Sequence, residues 1–297
     1  MGSDRKESAL IKMIPSHRSP SAPSKATEPQ MLTSIELETW EQLEEEIKKK
    51  ITMPAPVFGG LHKSNWLFRG QGNAKWNLAS TIQREVPKIT ELAEYFHIIG
   101  VAKAQIETFT AKSWENINFK DVQELFSEYD PMGLRRFPAY EYLVYLRHHG
   151  FPSPLLDWSR SPYVAVYFAC KEPKGEKVSL FAYQEYTGAG KVASSNQPRI
   201  HSLGPYIRSH PRHFLQQCEY TIALKFIPSV WQLAEYSEIL DHSRYDQDQF
   251  VKYSIPSSEA ERVVNILDKF NINVFSLFQS EESLLKTMAF RHFLPWR

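Results

Sequence analysis

The stretch Arg147-His148-His149-Gly150-Phe151-Pro152-Ser153-Pro154-Leu155-Leu156-Asp157-Trp158-Ser159-Arg160-Ser161-Pro162 constrains this chain most. Its three prolines fix φ and its glycine relaxes it, so the backbone here is a shaped turn rather than a continuous element. Apolar helical stretches flank it on both sides. A stiff polar loop clamped between core elements is a common way to hold chemistry on a rigid scaffold. This one carries two adjacent imidazoles, a carboxylate beside an indole, hydroxyls and two guanidinium groups. Taken singly, each of these side chains has a plain alternative: a buried turn whose polar groups satisfy backbone.

The surroundings narrow the fold. The chain has 297 residues, 42% hydrophobic and 13% aromatic, enough for one large domain or two modest ones. Residues 1–33 are rich in Ser, Pro, Lys and Arg without an apolar period and read as a disordered tail, leaving 34–297 as the domain. Ser34 reads as an N-cap for a helix with Leu37, Trp40, Leu43 and Ile47 on one face. Its Glu44/Lys48 and Glu46/Lys50 pairs mark a solvated side. Prolines and glycines over 54–60 mark a loop. Trp66-Leu67-Phe68 favours a short buried strand ending at Arg69, beside Gly70 and Gly72.

A long amphipathic helix spans 88–114 and a turn falls at Asp130–Gly133. A further helix begins near Pro138 and ends at Gly150, with His148 and His149 in its last turn. Ser161-Pro162 is an N-cap and first-turn pair. A strand follows at 177–186, then a polar entry into a strand over Gln216–Leu224 and a strand at 251–255; helices fall at 259–270 and 281–293. Between these lie a small polar stretch at 188–196, a basic His-rich loop from His201 to His213, an acidic surface insertion at 235–249, and a short extended piece at 272–275. Runs of helix and strand in this order, without an internal repeat, predict a single α+β domain. Its sheet should be mixed, mostly antiparallel and flanked by helices.

Bulk properties exclude some roles. A net charge of +1 gives no overall pull toward nucleic acid or an anionic membrane. No apolar run reaches bilayer length, and the charged N-terminus lacks the apolar core of a secretory signal. Cys170 and Cys218 have no metal-ligand spacing and read as reduced thiols, which suggests a cytoplasmic protein without a metal. At Arg69 two readings stand side by side. Its fork is suited to an anion, and it is also suited to a core carboxylate such as Asp157.

Trp66 to Gln71 resembles the motif that names the FRG domain family. Arg147 to Ser159, continuing to Ala165-Val166-Tyr167-Phe168-Ala169, is similar to that family's second block. Arg212 to Thr221 resembles a third block, and Asn271 to Phe278 the family's closing strand. His148, Ser153, Ser159 and Cys218 stand where Gln, Thr, Thr and Gly are common. Members occur in bacteria, often near mobile-element or defence genes.

The chain also resembles ADP-ribosyltransferases of the Arg-Ser-Glu type. These carry an Arg-Gly on an early strand, a Ser-Thr-Ser-like strand, then Gln-or-Glu, any residue, Glu at a later strand. Here the series is Arg69-Gly70, Asp157-Trp158-Ser159 with Ser161, and Gln217-Cys218-Glu219. The resemblance implies an ADP-ribosyltransferase-like sheet and an NAD-consuming enzyme, a transferase or glycohydrolase, in a bacterial defence or toxin setting. NAD is then a substrate, and the acceptor is a protein or nucleic acid left open. The implied catalytic set is Arg69, His149, Ser159 and Glu219. Gly70, Gln71, His148, Asp157, Trp158, Ser161 and Gln217, with Arg69, line the dinucleotide. A Glu in that role stabilises an oxocarbenium-like ribose, as carboxylates do in glycoside cleavage. The competing reading is a module that binds a nucleotide or phosphorylated ligand without chemistry. A metal-independent nuclease using both histidines is disfavoured, because neighbours on a helix point about 100° apart.

Overall fold

The computed structural model describes residues 32–52, 65–123, 137–185, 198–205, 207–208, 210–240 and 248–293. The elements are, in chain order, β1 (Leu32–Glu36), α1 (Trp40–Ile51), β2 (Leu67–Gln71), α2 (Thr81–Glu85), α3 (Leu92–Thr110), α4 (Phe119–Gln123), α5 (Tyr140–His148) and β3 (Leu156–Ser159). Next come α6 (Pro162–Cys170), β4 (Lys177–Gln184), β5 (Arg199–Ser202), α7 (Pro211–Leu215), β6 (Cys218–Ile227) and β7 (Val230–Leu233). The chain continues through α8 (Tyr236–Leu240), β8 (Gln249–Pro256), α9 (Ala260–Lys269), α10 (Val274–Phe278) and α11 (Glu281–Phe293).

The strands form one sheet in the order β1-β8-β4-β2-β3-β6-β5, with β7 also on β6. Only β1 and β8 run parallel; the other pairs are antiparallel. This is the mixed, mostly antiparallel α+β architecture that the order of elements predicts. No helix among the described residues is long and apolar enough to cross a membrane.

Most of the packed helices lie on one face of the sheet. The central one is α6, apolar almost all round and therefore buried. The Ser161 hydroxyl accepts the Val164 N–H at 3.3 Å to start it, with Pro162 in its first turn. A Cβ on Gly70 would stand 1.9 Å from the Ala165 carbonyl oxygen, so β2 can approach α6 only with glycine here. Trp40, Leu43 and Ile47 of α1 join this core with Val263 and Leu267 of α9. A second core packs α3 and α5 against Tyr220, Ile222 and Leu224 of β6. The opposite face buries Leu67, Leu156, Trp158, Phe181 and Tyr183 under Tyr236, Ile239 and Leu240 of α8.

Several expectations change. Leu32 and Thr33 belong to β1 rather than to the tail, because β8 supplies a partner more than two hundred residues away. The first helix begins at Thr39, whose hydroxyl accepts the Gln42 N–H at 3.4 Å, not at Ser34. Glu44 pairs with Lys48 as expected, but Glu46 pairs with Lys49 while Lys50 lies over Trp66. Part of the His-rich loop is β5, tied to β6. The acidic insertion contains α8, whose Tyr236 is buried. Asn273 caps α10, so the piece at 272–275 is a helix start and not a closing strand. The tail over 1–31, the loop at 54–60, the turn at Asp130–Gly133 and the stretch at 188–196 lie outside the described residues.

Candidate functional site

The site is built where β2, β3 and β6 lie side by side. Side chains alternate between the faces of a strand, so register decides which of them meet. Ser159 pairs with Phe68 on one side and Cys218 on the other, and Trp158 pairs with Glu219. One step along the ladder from Phe68, Arg69 stands level with Trp158. Arg69, Trp158 and Glu219 therefore form a row across three strands on one face. Asp157, Ser159, Tyr220 and Cys218 share the other.

In the row, Trp158 is core: it is 2% exposed, and its indole N–H donates to Thr221 Oγ1 at 2.8 Å, which in turn meets the Tyr236 hydroxyl. Arg69 donates through Nη1 to the Asp157 backbone carbonyl at 2.7 Å. Its Nε is sealed from water without a hydrogen-bond partner. Among the described residues no carboxylate comes within ion-pair distance of it. Burial pushes this guanidinium down to about 10, against the pull of Asp157 and helped by Arg147 and Arg84. An unneutralised buried cation is costly unless something anionic meets it. Glu219 has one loose partner, Arg160 Nε at 3.8 Å. Burial raises its carboxyl above the usual glutamate range; Arg160 opposes this and Glu185 adds to it.

On the helix-covered face, Arg147 Nε donates to Asp157 Oδ1 at 2.8 Å. Burial pushes the Asp157 carboxyl up, but Arg147, Arg69 and His148 outweigh it, and the group ends below the usual range. The carboxylate still has about a third of its side chain open, at 32%.

Beside it, His148 Nε2 lies 2.7 Å from the Tyr220 hydroxyl, and His213 Nδ1 lies 3.2 Å from the same oxygen. His213 Nε2 faces the Pro205 carbonyl at 3.3 Å. A carbonyl only accepts, so His213 carries its proton on Nε2 and leaves Nδ1 bare. Tyr220 then donates to His213 and accepts from His148 Nε2–H. The direction of this chain leaves Nδ1 of His148 as a free base. Burial lowers His148 to about 4, so it is neutral at pH 7.

The remaining expected residues fall elsewhere. The Ser159 hydroxyl donates to the Gln216 carbonyl at 2.7 Å and accepts the Ser161 N–H at 3.0 Å, and so pins a turn. Ser161 caps α6. The space beside Gly70 is filled by α6 rather than open to a ligand. Gln71 is buried and donates to the Asn77 carbonyl at 3.3 Å, with its Oε1 sealed and unpartnered. Gln217 sits at positive φ in the turn before β6, where its carbonyl takes the Arg160 N–H. His149 is exposed at the end of α5, its ring 4.2 Å from Tyr145 and separate from the His148 network. Burial, Lys112, His210 and Arg212 all lower it.

Sequence reasoning passed over Arg147, Tyr220, His213 and Arg160 as site residues. Alternation was the available signal: with Glu219 on one face, Tyr220 must meet Asp157 on the other. No group of three His, Cys, Asp or Glu among the described residues is placed to hold a metal. Both cysteines are free, and burial pushes each thiol up to about 12.

An open α+β sheet with a buried arginine on β2 and an acid on β6 in register across the intervening β3 is the class defined so far. The chain contains an FRG domain: the family's model matches residues 64–177. Arg69, Arg147, His148, Asp157 and Ser159 lie within that match, and Glu219 lies beyond it. No curated protein and no solved structure matches the chain.

Proposed function

We propose that this chain consumes NAD, passing ADP-ribose to an acceptor or to water. The observation that carries the reading is the row itself. The Arg and the Glu of the Arg-Ser-Glu series share one face of the sheet on β2 and β6, with Trp158 of the intervening β3 between them. Arg69 supplies the guanidinium of that row, a group suited to the pyrophosphate. In the reaction, the bond from the nicotinamide ring nitrogen to C1′ of its ribose breaks. The electron pair leaves with nicotinamide, and the Glu219 carboxylate stabilises the ribose cation that remains. An acceptor hydroxyl, amine or water then bonds to C1′ and releases its proton to solvent; His148, with Tyr220 on the opposite face of the sheet, takes no part. Ser159 positions the turn and takes no part in the chemistry. Such an activity suits a bacterial defence or toxin system.

A second reading is favoured by the burial of Trp158, which fills the space between Arg69 and Glu219. It is a module that binds a nucleotide or phosphorylated ligand through Arg69 and performs no chemistry. Nicotinamide release separates the two. The enzyme reading expects release from NAD in the presence of cell extract as acceptor, lowered by about a hundredfold or more in Glu219→Gln. Ligand binding without release, unaltered in Glu219→Gln, supports the module.

A further inference from the structure

Across the surface from the end of α3 to the end of α6, rings and cations alternate. Lys112 sits 4.6 Å over Tyr145, whose ring lies 4.2 Å from His149. His149 meets His210 edge to face at 6.2 Å. Two residues on, Arg212 stacks 5.1 Å over Phe278, and Lys171 lies 6.0 Å from the same ring. Lys112, His149 and Lys171 are exposed, and the others are half-buried. No single element makes this strip; it is assembled from five helices or their ends.

The charge along it has one sign. The charged groups acting on His149 are Lys112, His210 and Arg212, and those acting on His210 are Arg212 and Lys112, with no carboxylate among them. Among the described residues, no acid stands within ion-pair distance of Lys112, Arg212 or Lys171, although Glu172 follows Lys171 in sequence. Arg212 Nε is sealed without a hydrogen-bond partner. Tyr145 and Phe278 are half-buried and capped by these cations and by Trp114 and Phe168, which leaves the His149 imidazole as the exposed ring among them. An exposed ring flanked by cations without ion-pair partners fits a polymer that repeats bases and phosphates, with a base stacking on His149 and phosphates meeting the cations. A double helix hides its base faces, and an acidic peptide has none to stack. We propose that this strip binds single-stranded nucleic acid. The inference stands independently of NAD turnover, because none of these side chains belongs to the Arg69–Trp158–Glu219 row.

The test is fluorescence anisotropy of the full chain with a labelled, mixed-sequence single strand of about 12 nucleotides. Binding should weaken by about tenfold between roughly 50 and 200 mM salt, as expected when about three cations meet phosphates. His149→Ala and Lys112→Ala, both at exposed positions, should each weaken it by about five- to tenfold with the circular dichroism spectrum unchanged. A duplex of the same length should bind more weakly, and polyglutamate should compete poorly. Glu219→Gln should bind as wild type, whether or not NAD is turned over. Absence of binding at low salt would overturn the proposal. So would equal affinity for duplex or polyglutamate, or folded His149→Ala and Lys112→Ala variants that bind like wild type.

Discussion

Arg69 donates to the backbone carbonyl of Asp157 at 2.7 Å and leaves its carboxylate to Arg147, whose Nε stands 2.8 Å from Oδ1. The two arginines around this aspartate thus have different work. Arg147 neutralises a half-buried charge and fixes the junction of α5 with β3. Arg69 is hydrogen-bonded to a neutral group and feels the Asp157 carboxylate only at longer range.

Removing Arg147 should therefore cost stability rather than ligand binding. Arg147→Ala leaves the Asp157 carboxylate without its hydrogen-bonded cation, a loss of about 2 kcal/mol for a charged hydrogen bond. Urea unfolding checks this. Asp157→Asn, which removes the charge needing compensation, should be milder when combined with Arg147→Ala than the two single losses added together.

Gly70→Ala should be worse than a surface glycine change. The new methyl meets the Ala165 carbonyl and the Ala169 N–H, both backbone atoms of a buried helix that cannot rotate away. A loss of about 3 kcal/mol is expected from such overpacking, read as a lower Tm. A variant with unchanged Tm would mean that β2 and α6 are not in this contact.

Much of this was legible in the sequence, and its gaps share a cause. The Ser161-Pro162 start of α6, the strand ending near Arg69 and the closing helix at Glu281–Phe293 follow from local capping and periodicity. What failed was non-local. β1 is a strand because β8 pairs with it, and α8 is buried because the far face of the sheet needs a cover. For the candidate site, residue types pointed to β2, β3 and β6, but only register could say that Glu219 faces the Arg69 side and Tyr220 the Asp157 side. Pairing of Arg69 with the Asp157 carboxylate, one of two sequence readings, yields to Arg147, which approaches from a helix that sequence spacing alone could not orient.

Acid should destabilise the fold earlier than carboxylate protonation alone would. His148 is lowered from 6.5 to about 4 by burial. Below pH 6.5 the unfolded chain takes up a proton that the folded chain refuses, so stability falls as pH drops from 6.5 toward 4. At roughly 1.4 kcal/mol per pKa unit, the full loss is about 3 kcal/mol. Asp157, held low mainly by Arg147, adds its loss further down, as pH falls through its own depressed value. Unfolding free energies across this range should flatten between pH 6.5 and 4 in His148→Gln. An unaltered slope in that variant would show that another group carries the dependence.

The Glu219 carboxylate must be ionised to stabilise a ribose cation. Burial raises it, so the acid limb of nicotinamide release should lie above the range of an exposed glutamate. Arg160 lowers it. Arg160→Ala should move that limb to higher pH while leaving the alkaline side in place. A pH–rate profile that does not shift would detach Glu219 from the reaction.

The most direct measurement is a calorimetric titration of NAD into Glu219→Gln, and into the same protein with Arg69→Ala added. If the row is a dinucleotide site, the first protein binds NAD without consuming it. The second should bind more weakly by about tenfold or more, the loss of a charged hydrogen bond to phosphate. Equal affinity in the two proteins, or no NAD binding to either while both remain folded, would contradict the assignment of Arg69 and Glu219 to one site.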